Sequence, residues 1–400
     1  MRKVCSVLLF CLFSIVLVSA QADKDIEKRI EALTVLVKDL KFDRAVFEAG
    51  ELVAAHPYAF DSHMAAYQTN MQAYRYDPEN PNSAKYLDKA LKHLNVARRI
   101  EPEDYEAWQA AVSFWDPARV DPRPKDPEAE KVLAEAEDFF SAGELEKAAE
   151  VLKKVIEKEP GYGPAYQHLG EIFLSQKKYD EALKYSQTAT EKDPRDAAGF
   201  LLLASVYGTM GRGEEAMASL IRSLKADPSY PLAWQQIMKL DLGGKKIEHM
   251  TRNFPKPVLW MIEREVQDPT DKDFEGVPEV TRPAWSTYVE TKVRWRRIEF
   301  PKRNPKTKVY KYTFQEESAA VTDTLVVWKE IRASNPNASD VLLDHWLAAS
   351  QASALDAAVF TDMYVEEFRQ DFIGWKRANA NKFEEYFNKF ILPRAMSGGK

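Results

Sequence analysis

The stretch from Ala129 to Pro228 repeats one pattern of apolar and polar positions three times. Its prolines, Pro160, Pro194 and Pro228, recur at a spacing of 34 residues. Small and aromatic residues return at matching offsets between them: Ala136, Gly170 and Ala204; Ala148, Ala182 and Ala216; Phe139, Phe173 and Tyr207. A small residue opposite a large one lets two helices pack closely, and a proline ends the second helix. The pattern predicts three consecutive helix-turn-helix units.

The second unit resembles the tetratricopeptide repeat, whose consensus is W-x2-L-G-x2-Y…A-x3-F…P. The matching residues are Tyr166, Leu169, Gly170, Phe173, Ala182 and Pro194. The resemblance implies an all-α solenoid of helix pairs, with repeats at about 129–162, 163–196 and 197–230. Gly143 and Gly211 fall in the turns of two units, where a positive φ favours glycine.

The same periodicity continues, less regularly, on both sides of these units. Residues 23–115 predict a divergent array with an inserted loop at Tyr76–Asn82, and residues 126–244 hold the three repeats. Each array ends in a half-unit that we interpret as a cap helix, Tyr105–Trp115 and Pro231–Leu242, because a solenoid must cover its last apolar face. The proline-rich segment between the arrays is either a hinge or a turn within one irregular superhelix.

The repeat spacing stops after Gly244, and residues 245–400 form a third, mainly helical region. A short extended segment is predicted at Lys308–Phe314. Helices are predicted at Trp285–Ile298, Glu316–Ala333, Ala338–Ser353, Leu355–Gly374 and Asn379–Leu392. In the last of these, Phe383, Tyr386, Phe387 and Phe390 share one face, which is typical of a core stripe.

The N-terminus has the pattern of a secretory signal. Arg2 and Lys3 precede the apolar run Val4–Val18, and Val18-Ser19-Ala20 supplies small residues for cleavage, so residues 1–20 are predicted to be a cleaved signal peptide. The run is short for a membrane span of roughly 20 residues. Both cysteines of the chain lie in this segment, so the mature protein would have no disulfide. These features predict a periplasmic or secreted protein, of a style common in bacteria.

Charge and motifs narrow the function. The net charge of −6 argues against a nucleic-acid partner. The six histidines are dispersed, and no P-loop, G-x-G-x-x-G or G-x-S-x-G motif occurs, so the sequence predicts no catalytic residue, no metal site and no cofactor. The pairs Glu316-Glu317 and Glu384-Glu385 are interpreted as helix starts or solvated faces.

The resemblance also suggests where a partner would bind. In tetratricopeptide proteins the first helix of each repeat lines a concave surface that holds an extended peptide or a helix. The matching groove candidates are Glu130, Leu133, Glu137, Gln167, Glu171, Leu174, Leu201, Ser205, Gln235 and Lys239. A mixed apolar and amide groove with acid at one end suits a segment with basic and apolar side chains. The alternative is that these residues only keep that face soluble.

A basic run in the third region is the second candidate surface. Its anion-patch candidates are Arg294, Arg296, Arg297, Lys302 and Arg303. It could meet phosphate, an anionic glycan or an acidic membrane, or it could pair with acidic residues of the same chain.

The leading interpretation is therefore an exported, non-catalytic scaffold that binds a protein or peptide through its repeats. Two alternatives remain: an enzyme with its active site in residues 245–400 whose repeats present the substrate, and a binder of an anionic cell-envelope polymer.

Overall fold

The computed structural model describes residues 24–239, 249–264, 269–307 and 310–392. The predicted signal peptide and its cleavage site lie outside the described residues. Within these ranges the chain is all-α and contains no strand. It forms two compact units, the first ending at His93 and the second beginning at Leu94. The domain limits drawn from the sequence, at 115/126 and 244/245, remain predictions.

The first unit consists of α1 (Lys24–Lys38), α2 (Phe42–Ala55), α3 (Phe60–Tyr76) and the start of α4 (Ser83–Ile100). Helix α2 packs against both α1 and α3. Its Ala45, Ala49 and Leu52 are fully buried in these contacts. The loop predicted at Tyr76–Asn82 separates α3 from α4, and the described part of the divergent array is helical as predicted.

The second unit begins with the end of α4 and with α5 (Tyr105–Trp115), followed by the repeat array. Asp126 and Asp196 cap the first helices of the first and third repeats, each accepting backbone N–H groups. Three helix pairs lie in the region of the predicted repeats, α6–α7, α8–α9 and α10–α11, and the two helices of each pair pack against each other. The helices are α6 (Pro127–Ser141), α7 (Leu145–Lys158), α8 (Gly163–Ser175), α9 (Tyr179–Lys192), α10 (Ala197–Thr209), α11 (Gly213–Ala226) and α12 (Pro231–Lys239).

The small residues of the pattern lie where helices approach most closely. A Cβ on Gly170 would lie 2.8 Å from Ser186 Oγ, so α8 could not approach α9 this closely with a larger residue. Ala182 is completely buried. The turn glycines Gly143 and Gly211 have φ of 75° and 74°, as expected, and Lys177 takes the same conformation at the equivalent place in the second repeat.

The C-terminal region consists of short helices. Its helices are α13 (Lys256–Arg264), α14 (Arg282–Arg294), α15 (Phe300–Arg303), α16 (Phe314–Ser334), α17 (Val341–Gln351), α18 (Leu355–Asp362), α19 (Arg369–Ala378) and α20 (Lys382–Tyr386), with π-helical turns at Trp295–Glu299 and Phe387–Ile391.

One sequence prediction for this region was wrong. The single helix predicted at Leu355–Gly374 is interrupted after Asp362, where the buried Val365 takes an extended conformation before a 3-10 turn. The segment predicted to be extended, Lys308–Phe314, forms no strand in its described residues, where Thr313 has an extended backbone and Phe314 begins α16. Residues 308–309 lie outside the described ranges.

One large core joins the third repeat to the C-terminal region. It includes α5, α10, α11 and α12 together with α13, α14 and the helices from α16 onwards. Trp234 of α12 is buried, with its ring 5.7 Å from that of Phe387. The described part of the predicted cap Pro231–Leu242 therefore does not end the structure, because the C-terminal helices pack over it. The aromatic stripe of the last helix is buried in this core as predicted. No helix among the described residues has the length and apolar character needed to cross a membrane.

Candidate functional site

The first helices of the first two repeats present an open polar surface with one aromatic residue in it. Glu130 and Glu137 are exposed on α6, and Glu137 pairs with Arg123 at 3.0 Å. Phe140 is 44% exposed, although large apolar side chains usually lie in a core. Its ring centre is 6.2 Å from that of His168 on α8. This surface thus offers an apolar contact bordered by acid.

A short hydrogen-bonded group on α8 continues the surface. Gln167 Nε2 donates to Glu171 Oε1 at 3.2 Å, and His168 Nδ1 lies 3.1 Å from Glu171 Oε2. All three side chains are partly exposed. Because these partners are one helical turn apart, the group is held in place before any ligand binds. We call Glu130, Phe140, Gln167, His168 and Glu171 the first-helix face.

Several predicted groove residues point elsewhere. Leu133 is only 2% exposed and belongs to the core of the first two repeats, so it supports the face from beneath and is not available to a partner. Leu174 and Leu201 are half-buried and pack against core clusters. The apolar stripe of each first helix faces its own second helix, which explains the inward positions of these leucines.

The groove candidates of the third repeat and of α12 are largely engaged within the protein. Ser205 Oγ donates to the carbonyl of Leu201 and accepts from Gln236 Nε2 at 3.2 Å. Gln235, expected to face solvent, is half-buried and donates to the carbonyl of Glu103 at 2.9 Å. Only Lys239 remains exposed. The available surface is therefore concentrated in the first two repeats.

The basic run divides into inward and outward residues. Arg296 is only 19% exposed in its side chain, and its Nε lies 3.4 Å from Glu316 Oε1. Arg296 therefore follows the second alternative given for the basic run, pairing within the chain, and is not available as part of an anion patch. Arg297 and Lys302 are exposed, Arg294 pairs with Asp323 at 2.6 Å, and Arg303 lies 3.6 Å from Glu299.

Beneath the basic run lies a buried charge cluster of Lys292, Glu316 and Glu317. All three are buried. Glu316 and Glu317 were interpreted as a helix start or a solvated face, and they lie at a helix start. Lys292 Nζ lies 2.8 Å from Glu317 Oε2 and 3.4 Å from Glu316 Oε1. Tyr288 and Tyr312 both donate hydrogen bonds to Glu317. The carboxylates lie in the first turn of α16, where the helix dipole also favours negative charge.

Burial and the neighbouring charges shift the pKa values of Glu317 and Lys292. Burial alone would raise the pKa of Glu317, but Lys292 and Arg99 outweigh it and lower that pKa from 4.5 to about 2. Burial lowers the pKa of Lys292, while Glu317 and Glu316 oppose this shift. The balance favours the ion pair, because the short contacts leave both charges well partnered. The lysine does have a sequence signal, since it continues the apolar stripe of Trp285 and Tyr288 at helical spacing.

A second buried network ties the repeats to the C-terminal region. Arg119 lies 2.5 Å from Asp227 Oδ2 and 2.8 Å from Glu366 Oε2. Asp227 also accepts a hydrogen bond from Trp108 Nε1 at 2.9 Å. Sequence reasoning missed this network because its members lie more than 100 residues apart. These ion pairs and hydrogen bonds are made within the chain and tie the end of the array to the C-terminal region, although Glu366 Oε1 has no hydrogen-bond partner among the described residues.

In the described part of the chain, no three or more histidine, aspartate or glutamate side chains come together in a way that could hold a metal ion. Of the six histidines, His63, His93, His249 and His345 are buried within the helical packing.

The family comparison agrees with the repeat geometry. A family model described as tetratricopeptide repeat matches residues 139–206 and 173–239. The crystal structure of PilW, described as a widely conserved type IV pilus biogenesis factor, is 16% identical, covering 55% of this chain and 100% of its own at a TM-score of 0.26. The P58(IPK) TPR domain is 12% identical, covering 91% and 99% at a TM-score of 0.26. No curated protein matches the sequence. The family match and the observed helix pairs together identify residues 139–239 as tetratricopeptide repeats.

Proposed function

We propose that this protein is an exported, non-catalytic scaffold that captures a segment of another protein on the first-helix face. The repeats themselves are units suited to protein–protein interaction. The observation that carries the proposal is the exposed Phe140 beside the ordered group of Gln167, His168 and Glu171. An exposed aromatic residue bordered by oriented polar groups is the composition found at binding hot spots.

The charges of the face indicate what kind of segment would fit. Glu130 is exposed, and Glu137 is exposed and forms an ion pair with Arg123. Glu171 accepts a hydrogen bond from Gln167 on α8. These carboxylates would attract lysine or arginine, while Phe140 would contact an apolar side chain. We infer a partner segment that combines basic and apolar residues. Gln235, which is bonded to Glu103, takes no part in this contact.

Export is the second component of the proposal. It rests on the basic start, apolar run and small residues of positions 1–20, which lie outside the described residues. A cysteine-free mature chain is consistent with this assignment, because its stability does not depend on the redox state of the compartment.

The test is an affinity capture experiment, in which residues 21–400 are used to recover binding partners from an extract of the source cell envelope. The variant Phe140→Ser, Gln167→Lys and Glu171→Lys should lose at least about tenfold in capture, since these residues supply the apolar contact and the acid. The matched control, Lys153→Glu with Lys154→Glu, changes two exposed residues on the second helix α7.

Both variants should keep the helical circular dichroism of the parent, because exposed substitutions usually change stability by no more than about 0.5 kcal/mol each. Partners that are retained by the folded triple variant but lost from the α7 control would place binding elsewhere. Equal retention of every partner by parent and triple variant would also refute the proposal.

A further inference from the structure

A pocket in the second unit has no role in the proposed peptide capture. It lies among the end of α4, the turn after the third repeat and the segment that follows α18. The empty space between its walls, including the part open to solvent, is about 370 Å³. The part of this space that a water molecule can occupy is far smaller, so the pocket suits a compact group and not a large organic ligand. Arg98, Arg99, Tyr364 and Asp362 are among its lining residues.

Three hydrogen-bond donors of this lining have no partner among the described residues. They are Arg98 Nη1, Arg99 Nε and the hydroxyl of Tyr364. Arg98 is 8% exposed, Arg99 6% and Tyr364 8%, and the three donor atoms themselves have almost no exposed surface. Leaving buried polar groups unsatisfied is unfavourable, and most of all for a charged guanidinium. Three such donors around one pocket indicate a missing acceptor.

The acidic residues nearby each accept a hydrogen bond, while Glu366 Oε1 and Glu367 Oε2 have no hydrogen-bond partner among the described residues. Asp362 Oδ2 accepts from Trp346 Nε1 at 3.1 Å and lies 3.2 Å from His345 Nε2. Glu367 Oε1 accepts from Asn95 at 3.0 Å. Burial raises the pKa of Glu366 and of Glu367, which disfavours the charged form of each. The lining carboxylate, Asp362, is thus directed towards other partners, and the arginines keep unused donor capacity.

Contacts with Tyr312 hold Arg99 in position. Its Nη2 donates to the hydroxyl of Tyr312 at 2.8 Å, and its guanidinium lies 5.7 Å from the centre of that ring. Tyr312 in turn donates to Glu317 of the buried charge cluster. Arg99 is therefore anchored through one nitrogen, with Nε left over. A donor held in this way needs little reorganisation to bind a ligand.

We propose that this pocket binds a compact oxyanion, a phosphate, sulfate or carboxylate group, between Arg98, Arg99 and the hydroxyl of Tyr364. Guanidinium groups present several N–H donors in a planar fork that matches the oxygens of such anions. The tyrosine hydroxyl can add a third hydrogen bond. The site differs from the exposed basic run, because its arginines are enclosed and its binding should survive salt that screens surface charges.

The test uses isothermal titration of residues 21–400 with sodium phosphate, sodium sulfate and sodium acetate at one ionic strength, with sodium chloride as the reference. At least one of the three oxyanions should bind saturably at one site, and which one binds identifies the ligand group. Arg98→Gln should weaken that binding at least about tenfold. Tyr364→Phe, which removes only the hydroxyl, should weaken it about threefold to tenfold.

The matched control is Arg123→Gln, which changes an arginine that is 41% exposed in its side chain and lies outside the pocket. It should bind like the parent. Heats no larger than those of chloride for all three anions would overturn the proposal, as would equal binding by the parent and Arg98→Gln. If Arg98→Gln does not fold, Tyr364→Phe decides the question, and parent-like affinity in that variant would overturn the proposal. Because no groove residue is changed, these outcomes are independent of peptide capture.

Discussion

Removing the charge of Glu317 should destabilise the second unit by an amount that depends on pH. Glu317 is fully buried, and Lys292 Nζ lies 2.8 Å from its Oε2. Its pKa falls from 4.5 to about 2 in the folded protein, where the attraction of Lys292 and Arg99 exceeds the opposing effect of burial. The substitution Glu317→Gln keeps the shape of the side chain and removes its charge.

The pKa shift of Glu317 determines how much its charge stabilises the folded state. One unit of pKa corresponds to about 1.4 kcal/mol, so the charged carboxylate stabilises the folded state by about 3 kcal/mol at pH 7. The pKa is depressed on folding, so this contribution is fully present above pH 4.5 and is lost as the pH falls towards 2. The difference between parent and variant should therefore shrink to about 1.4 kcal/mol at pH 3.

Urea denaturation at several pH values, followed by tryptophan fluorescence, measures this difference. Glu330→Gln is the matched control, because Glu330 is exposed on the same helix and should show almost no effect. Equal stability of the parent and Glu317→Gln at pH 7 would refute the reasoning. A difference that stays constant down to pH 3 would show that the loss comes from packing and not from charge.

Three further predictions test the repeat register, the first unit and export. Ala182→Leu should lower the free energy of unfolding by about 1–3 kcal/mol, because it overpacks a fully buried contact. The control Lys184→Leu, on the exposed side of α9, should not lower it. Equal urea midpoints for the two variants would show that the repeat register is wrong. Burial lowers the pKa of His63 from 6.5 to about 4 and that of His93 to about 3. As the pH falls below 6.5, the free energy of unfolding of the first unit should therefore decrease by about 1.4 kcal/mol per pH unit for each histidine. Hydrogen exchange in α3 that does not change between pH 7 and 5, after correction for the intrinsic rate, would contradict this. N-terminal sequencing of the exported protein should begin at Gln21, and recovery of Met1 would rule out cleavage.

The repeats were predictable because their packing depends on residues close together in sequence. Gly170 and Ala182 belong to one helix pair, and their small size is required where α8 meets α9. Such contacts recur at a fixed spacing, so the pattern alone reveals them. The positive φ of Gly143 and Gly211 follows from the same local geometry.

The buried charge cluster and the internal partners of Gln235 and Arg296 could not be predicted, because they depend on contacts between segments that are far apart in the sequence. The burial of Glu317 requires Lys292 and Arg99, which are 25 and more than 200 residues away in the chain. Gln235 is removed from the groove by the carbonyl of Glu103, 132 residues earlier. A charged or amide side chain has the same sequence signature whether it faces water or a buried partner. Composition therefore could not separate Arg296, which is paired, from Arg297, which is exposed.

Site-directed photo-cross-linking tests most directly whether partners bind on the first-helix face. The only cysteines of the chain are Cys5 and Cys11, so residues 21–400 accept a single new cysteine that can carry a benzophenone. Phe140→Cys places the probe on the first-helix face, and Lys154→Cys places it on α7 as a control. The partner recovered by capture should cross-link to position 140 and not to position 154. Cross-linking from position 154 alone would contradict the proposal that the first-helix face captures the partner.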